Sequence, residues 1–141
     1  MAASEPIVKE IFIEATPEEI FPYLIRSEKY VLWMGLAAEI DARPGGAYRY
    51  CLHSSEGTDH RVRGVFKEIV EQERLVYTWA WVDADGRPGH ETLVTVTFAD
   101  HGAKTLLTLR QALFESVTAR DEHRGGWSSA LDCLAEYLAA V

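Results

Sequence analysis

The stretch His123-Arg124-Gly125-Gly126-Trp127-Ser128-Ser129-Ala130-Leu131 decides the fold, because it sets two adjacent glycines and a tryptophan inside the longest helical pattern of the chain. Each glycine in a helix interior costs about 1 kcal/mol relative to alanine, so the pair marks a place where the backbone is approached closely. Counted from Trp127, the residues Ala130, Leu131, Leu134, Leu138 and Val141 share one stripe at helical spacing, while Ser128, Ser129, Asp132 and Glu136 fall off it. That stripe faces a core. Upstream it runs through His123, Arg124 and Arg120 and turns polar, as a helix does when its amino end reaches the mouth of a pocket. Gly126 lies on the flank of the stripe, where it permits close packing against the sheet or the short helices, and Gly125 points largely away.

What precedes this helix reads as strands. Ile7 to Glu14 alternates in part and ends at Ala15-Thr16-Pro17-Glu18-Glu19, where Thr16 caps a helix, Pro17 suits its first position and Glu19 completes a capping box. Ile20, Phe21 and Leu24 form the apolar side of that short helix. Ser27 is expected to cap a second short helical turn carrying Tyr30, Trp33 and Met34, closed by Gly35. From Leu36 to Gln111 the pattern is an antiparallel meander, with runs at about 36–42, 46–53, 60–70, 74–82, 91–99 and 104–112. Turn signals separate them: Pro44-Gly45-Gly46, Ser54-Ser55-Glu56-Gly57, Glu71-Gln72-Glu73, Asp85-Gly86-Arg87-Pro88-Gly89 and Asp100-His101-Gly102. The intervals are too short for crossover helices, which excludes a parallel sheet.

Alternation assigns the faces. Tyr48, Tyr50 and Leu52 oppose Arg49; Val62, Gly64 and Phe66 oppose Arg61, Arg63 and Lys67; Val94, Val96 and Phe98 oppose Thr95 and Thr97; Leu107 and Leu109 oppose Thr108 and Arg110. In the run from Leu75 to Val82 both faces are mainly apolar, and Tyr77, Trp79 and Trp81 are placed inward. Only the carboxyl-terminal helix is large enough to cover the apolar face, so the sequence describes a curved sheet gripping one helix.

Composition narrows the partners. The chain has 141 residues, 48% of them hydrophobic, which suits a single domain over 1–141 that buries roughly 68–70% of its unfolded surface. With 22 acidic against 14 basic residues and a formal net charge of −8, nucleic acid and anionic membrane surfaces are poor partners. Met1 to Lys9 has no basic start leading into an apolar run, and no apolar stretch nears the roughly 20 residues that span a bilayer. A soluble, cytoplasmic protein is expected. Cys51 and Cys133 stand far apart and read as reduced packing residues. The five histidines, at 53, 60, 90, 101 and 123, lack paired ligand spacing; His53 and His60 can meet across a hairpin but have no third ligand, so neither metal nor cofactor is expected.

The order strand, two short helices, six strands and long helix, together with its motifs, resembles the START-like superfamily, also called SRPBCC, and within it the bacterial homologues of the activator of the ninety-kilodalton heat-shock protein ATPase. The resemblance is carried by Ala15-Thr16-Pro17-Glu18-Glu19-Ile20-Phe21, Gly45-Gly46-Ala47-Tyr48-Arg49-Tyr50, Gly64-Val65-Phe66-Lys67-Glu68-Ile69, Leu75-Val76-Tyr77-Thr78-Trp79, and Gly126-Trp127 with Ala130, Leu131 and Leu134. It implies an α+β helix-grip fold with a cavity between sheet and helix that relatives use for lipids, sterols and polyketides. Folds of this type also host co-chaperones and cyclases, so function rests on the site.

Tyr48, Tyr50, Trp79, Trp81 and Val96 from the strands are expected to face that cavity, with Gln111, His123, Trp127 and Leu131 around them and Trp33 at the rim. Aromatic walls with a few polar groups suit a small hydrophobic ligand, and the tyrosines and tryptophans carry donors that need partners. His123, one turn before Trp127, is a weak candidate for a general base or acid. Arg120 and Arg124 can pair with a ligand carboxylate or with a nearby acid such as Glu115. Nucleophile elbow, phosphate loop and dinucleotide fingerprint are all missing from the sequence, which leans away from an enzyme. The expected function is binding of a small hydrophobic or aromatic molecule. A co-chaperone acting on a heat-shock ATPase and a cyclase or hydrolase using His123 with a pocket tyrosine are the alternatives, and a homodimer is compatible with each.

Overall fold

The computed structural model describes residues 6–33, 37–53, 59–83, 85–114 and 116–140. The expected turn at 54–57, the end of the second short helix at Met34 and Gly35, Glu115, Val141 and the side chain of His53 lie outside the described residues. Strands β1 (Ile7–Ile13), β2 (Ala37–Ile40), β3 (Ala47–His53), β4 (Asp59–Val70), β5 (Arg74–Val82), β6 (Thr92–His101) and β7 (Lys104–Ala112) are the elements that the alternation predicts, with no end displaced by more than two residues after β1. They form one seven-stranded sheet, order β1-β7-β6-β5-β4-β3-β2, with every pairing antiparallel. The meander from β2 to β7 pairs neighbours in sequence. β1 instead crosses to β7, from Ile7 opposite Gln111 to Ile13 opposite Thr105, and the Thr105 hydroxyl donates to the Ala15 carbonyl at 2.7 Å to hold the chain where β1 ends.

Between β1 and β2 stand three one-turn helices where two were expected: α1 (Pro17–Ile20), α2 (Pro22–Ile25) and α3 (Ser27–Tyr30). The capping box forms as predicted, with Glu19 N–H donating to the Thr16 hydroxyl at 3.3 Å and Thr16 N–H donating to the Glu19 carboxylate at 2.9 Å. The Thr16 N–H and, at 3.0 Å, the Thr16 hydroxyl both donate to the Glu19 carboxylate and hold it below its ordinary range. Pro22 explains the extra break: it has no N–H to continue α1, so it starts a new turn from Phe21. Ser27 is not the cap of the last turn. Extended Arg26 occupies that position with no side-chain capping bond.

These short helices cover much of the concave face, a task the sequence had assigned to the long helix alone. Phe21 meets Phe98 edge-on at 5.6 Å, Tyr23 meets Tyr137 at 5.6 Å, and Tyr30 stacks on Tyr50 at 4.0 Å and 14°. Helix α4 (Val117–Ala140) covers the rest, burying Trp127, Leu131, Leu134 and Leu138. The two cover layers and the sheet share one apolar cluster that includes Tyr48, Tyr50, Phe66, Tyr77 and Val96. Burial pushes the phenols of Tyr30, Tyr48, Tyr50 and Tyr77 well above their ordinary range, so they remain neutral donors.

At Gly64 the sheet is interrupted. The β4–β5 pairing runs through Arg63 opposite Ala80, resumes in the same register at Phe66 opposite Tyr77, and shifts once, between Phe66 and Glu68. Val65 N–H donates to the Thr78 hydroxyl at 2.8 Å in place of a backbone partner. The Tyr48 hydroxyl donates to the Thr78 carbonyl, reaching it past Gly64, which is directly opposite Tyr48 on β3. A Cβ at Gly64 would lie 2.0 Å from that carbonyl oxygen and 2.7 Å from the tyrosine ring and hydroxyl.

Neither helix glycine admits a close approach. A Cβ at Gly125 or at Gly126 would meet nothing within 4 Å, which corrects the expectation that Gly126 packs tightly on the sheet. Cys133 is exposed on α4 and Cys51 is half-buried on β3, both as free thiols, so Cys133 is not a packing residue.

Candidate functional site

β5 presents Trp79 and Trp81 on the inner face, two residues apart and therefore on the same side of the strand. α4 brings His123, Gly126 and Trp127 against them, at helical spacings of three and four. The rings make a continuous wall: Trp127 to Trp79 at 5.0 Å, Trp79 to Trp81 at 5.7 Å edge-on, Trp81 to His123 at 5.6 Å. His60 on β4 closes one side, 5.7 Å from Trp81. Between them lies a cleft of about 380 Å³, lined by His60, Trp79, Trp81, Glu122, His123, Gly126 and Trp127. Trp81 is 38% exposed and Trp79 only 3%, so the cleft grades from a wet lip to a dry floor. Gly126 is part of that lining, and a Cβ there would meet open space.

Hydrogen bonds fix three of the four rings of the wall formed by Trp127, Trp79, Trp81 and His123. His123 Nδ1 lies 2.7 Å from the Ala119 carbonyl, which can only accept, so Nδ1 carries the proton and the Nε2 lone pair receives Trp81 Nε1–H at 2.8 Å. Trp127 Nε1–H donates to Gln111 Oε1 at 2.6 Å; Gln111 Nε2 donates to the Thr92 hydroxyl at 2.8 Å, which donates to the Trp79 carbonyl at 2.9 Å. This buried relay ties the helix to three strands and orients Trp127. The exception is Trp79. Among the described residues, its Nε1–H is the buried side-chain nitrogen or oxygen that has no hydrogen-bond partner, in a setting where such groups are nearly always satisfied.

A larger hollow of about 760 Å³ opens on the convex side over Gly64 and Thr78. Ile40, Ala47, Val65, Ala80 and Pro88 line it together with Glu39, Asp41, Arg49, Arg63 and Glu91, so five charged side chains rim this hollow where the cleft beside Trp127 has Glu122 alone besides its two histidines. Among the described residues, no group of three or more His, Cys, Asp or Glu is placed to hold a metal ion, and no helix is long and apolar enough to cross a membrane.

The family model described as Activator of Hsp90 ATPase homolog 1-like protein matches residues 14–139. The chain belongs to that family. Solved structures share its fold: protein Ms6760 from Mycobacterium smegmatis at 18% identity, covering 100% of this chain and 94% of that one, with a TM-score of 0.85. The AHSA1 protein from Silicibacter pomeroyi is 24% identical over 96% of this chain and 98% of its own, with a TM-score of 0.81. Protein CV1439 from Chromobacterium violaceum is 23% identical over 95% and 97%, with the same TM-score of 0.81. No curated protein matches the sequence. The architecture of this family member is thus the α+β helix grip, a curved antiparallel sheet around a long carboxyl-terminal helix.

Of the ten residues expected around a cavity, the structure brings Trp79, Trp81, His123 and Trp127 together at the cleft. Tyr48, Tyr50, Val96 and Leu131 are packed in the apolar cluster instead, because Tyr30 of α3 fills the space before Tyr50. Gln111 stands behind the wall as Trp127's acceptor. Trp33 is not at the cleft rim: its Nε1–H donates to the Tyr23 carbonyl at 2.9 Å and its ring lies against Tyr30. Arg124 pairs with Asp121 at 3.0 Å and Arg120 with the same carboxylate at 3.3 Å. His60, Glu122 and Gly126 were missed as lining residues. Their signals were present, since His60 is in phase with inward Val62 and Glu122 precedes Gly126 by four.

Proposed function

We propose that this family member binds a small hydrophobic or aromatic molecule in the cleft between β5 and the amino-terminal turns of α4. The observation that carries this is a cleft of about 380 Å³ walled by Trp79, Trp81 and Trp127; apolar aromatic walls with few polar groups characterise small-molecule sites. Support also comes from the family, whose fold commonly holds hydrophobic ligands between sheet and helix. Catalysis is no part of the proposal. Both His123 nitrogens are engaged, the cleft has no tyrosine in its lining, and a general base needs a free lone pair within reach of substrate.

Gly126→Leu is the decisive variant. Its Cβ meets nothing within 4 Å, so the fold tolerates the side chain, and leucine raises helix propensity by about 1 kcal/mol over glycine. The new side chain is added to the lining of the cleft. Binding of fluorene, followed by tryptophan fluorescence, is expected to fall at least about tenfold, the effect of losing about 1.4 kcal/mol, with the melting temperature unchanged or higher. Undiminished binding by a folded Gly126→Leu protein would place the ligand elsewhere.

Regulation of a heat-shock ATPase is a second activity, favoured by the family's description. It predicts that the purified chain stimulates ATP hydrolysis by a ninety-kilodalton heat-shock protein, and an unchanged rate at saturating chain would remove it.

A further inference from the structure

We infer that His123 is an acid-sensitive positioning residue of the cleft: its neutral imidazole holds Trp81 in the wall, and protonation releases Trp81 and with it the ligand. The inference rests on the cleft being a ligand site and adds the condition under which that site is assembled.

The bond between the two rings has one possible direction. An indole nitrogen can only donate, so the 2.8 Å contact of Trp81 Nε1 with His123 Nε2 needs a lone pair on the imidazole. His123 Nδ1 lies 2.7 Å from the Ala119 carbonyl, one turn back in α4, and keeps its proton in either charge state. A second proton therefore goes to Nε2. There it sets N–H against N–H across 2.8 Å, two donors with no acceptor between them. The helix side holds, because positive charge strengthens the bond from Nδ1 to the Ala119 carbonyl. Trp81 yields, being 38% exposed in the lining of the cleft and one residue from the end of β5.

The neighbours are separable from this latch. Phe114, ahead of α4, lies 5.1 Å from the imidazole and is uncharged. His60 on β4 meets Trp81 at 5.7 Å, Glu122 lines the cleft beside His123, and His90 contacts the Leu113 carbonyl next to Phe114. On α4 itself Asp121 is paired with Arg120 and Arg124. The partner of Nε2 is Trp81, and histidine is the side chain suited to sensing mild acid.

Fluorene tests this, because it carries no titrating group of its own. About one pH unit below the midpoint read from the His123 ring-carbon resonances, about a tenth of the imidazole stays neutral, and affinity scales with the competent fraction. Calorimetric titration of the folded full chain should then show fluorene binding about tenfold more weakly there than at about pH 8. His123→Gln should flatten that profile, whereas His60→Gln and Glu122→Gln should each retain it. As a readout that needs no variant, the Trp81 indole N–H resonance of the ligand-free wild-type chain should move upfield over the same pH range, as its hydrogen bond is lost. A flat wild-type profile, a dependence that persists in His123→Gln, or a Trp81 resonance unmoved by acid overturns the inference and leaves the cleft as a binding site without a latch. Failure of fluorene to bind at any pH overturns the ligand-site proposal and the acid release with it.

Discussion

Trp127→Ala should destabilise the chain by about 4 kcal/mol, in the range for removing a buried tryptophan, and should abolish binding of aromatic probes. The ring is buried against Trp79, with centroids 5.0 Å apart, so its loss removes both a core contact and a wall of the cleft. Its N–H is also the partner of Gln111 Oε1, a fully buried acceptor. Trp127→Phe separates these contributions. It keeps an aromatic ring and orphans the amide oxygen, so urea unfolding should show a smaller loss of about 1–3 kcal/mol, with probe binding weakened and not lost. If Trp127→Phe unfolds at the wild-type urea concentration, the relay from Trp127 through Gln111 and Thr92 does not contribute to stability.

The second large effect lies far from the cleft, at the interruption of the sheet. Gly64→Ala should cost about 3 kcal/mol, the upper end for over-packing, and lower the melting temperature by roughly 10 °C. The clash is with the Thr78 backbone oxygen at 2.0 Å and with the Tyr48 ring at 2.7 Å. A main-chain carbonyl inside a sheet cannot swing aside, and Tyr48 is held by its hydrogen bond to that carbonyl. Gly125→Ala is the matched control. It makes the same chemical change in a helix interior with nothing within 4 Å, and should stabilise by about 1 kcal/mol. Thermal melts of the two variants should therefore move in opposite directions; a Gly64→Ala protein melting within a degree of wild type would show that the close approach is not maintained in solution.

The strands were legible because the sheet has one covered and one open face, which imposes the alternation seen at Val94, Val96 and Phe98 against Thr95 and Thr97. The capping box at Thr16 and Glu19 was equally local. Trp79 was harder to place, since Thr78 and Ala80 on the opposite face of β5 are buried too, and its neighbours hide the alternation. Ser27 misled because a capping residue type is only permissive. Arg26, already extended after α2, took that position.

The candidate site was legible in halves. Spacing alone set Trp79 beside Trp81 and put His123 four residues before Trp127. Pairing those two halves needed the curl of the sheet around α4. So did the separation of cleft residues from core residues, because Tyr50 and Trp79 are alike by pattern and differ only in that Tyr30 covers one of them.

By itself, then, the sequence determined the helix stripe through Trp127, the strand order of the meander and the polar turn of that stripe at its amino end. These depend on periodicity within one element, which neighbours along the chain impose on each other. Tertiary structure alone decided that β1 joins β7, that the short helices fill the grip, that Gly126 borders open space where close packing was expected, and that Trp79 keeps an unspent donor. Such facts depend on which groups meet across distant segments, and hydrogen-bond satisfaction and open volume exist only once those segments are brought together.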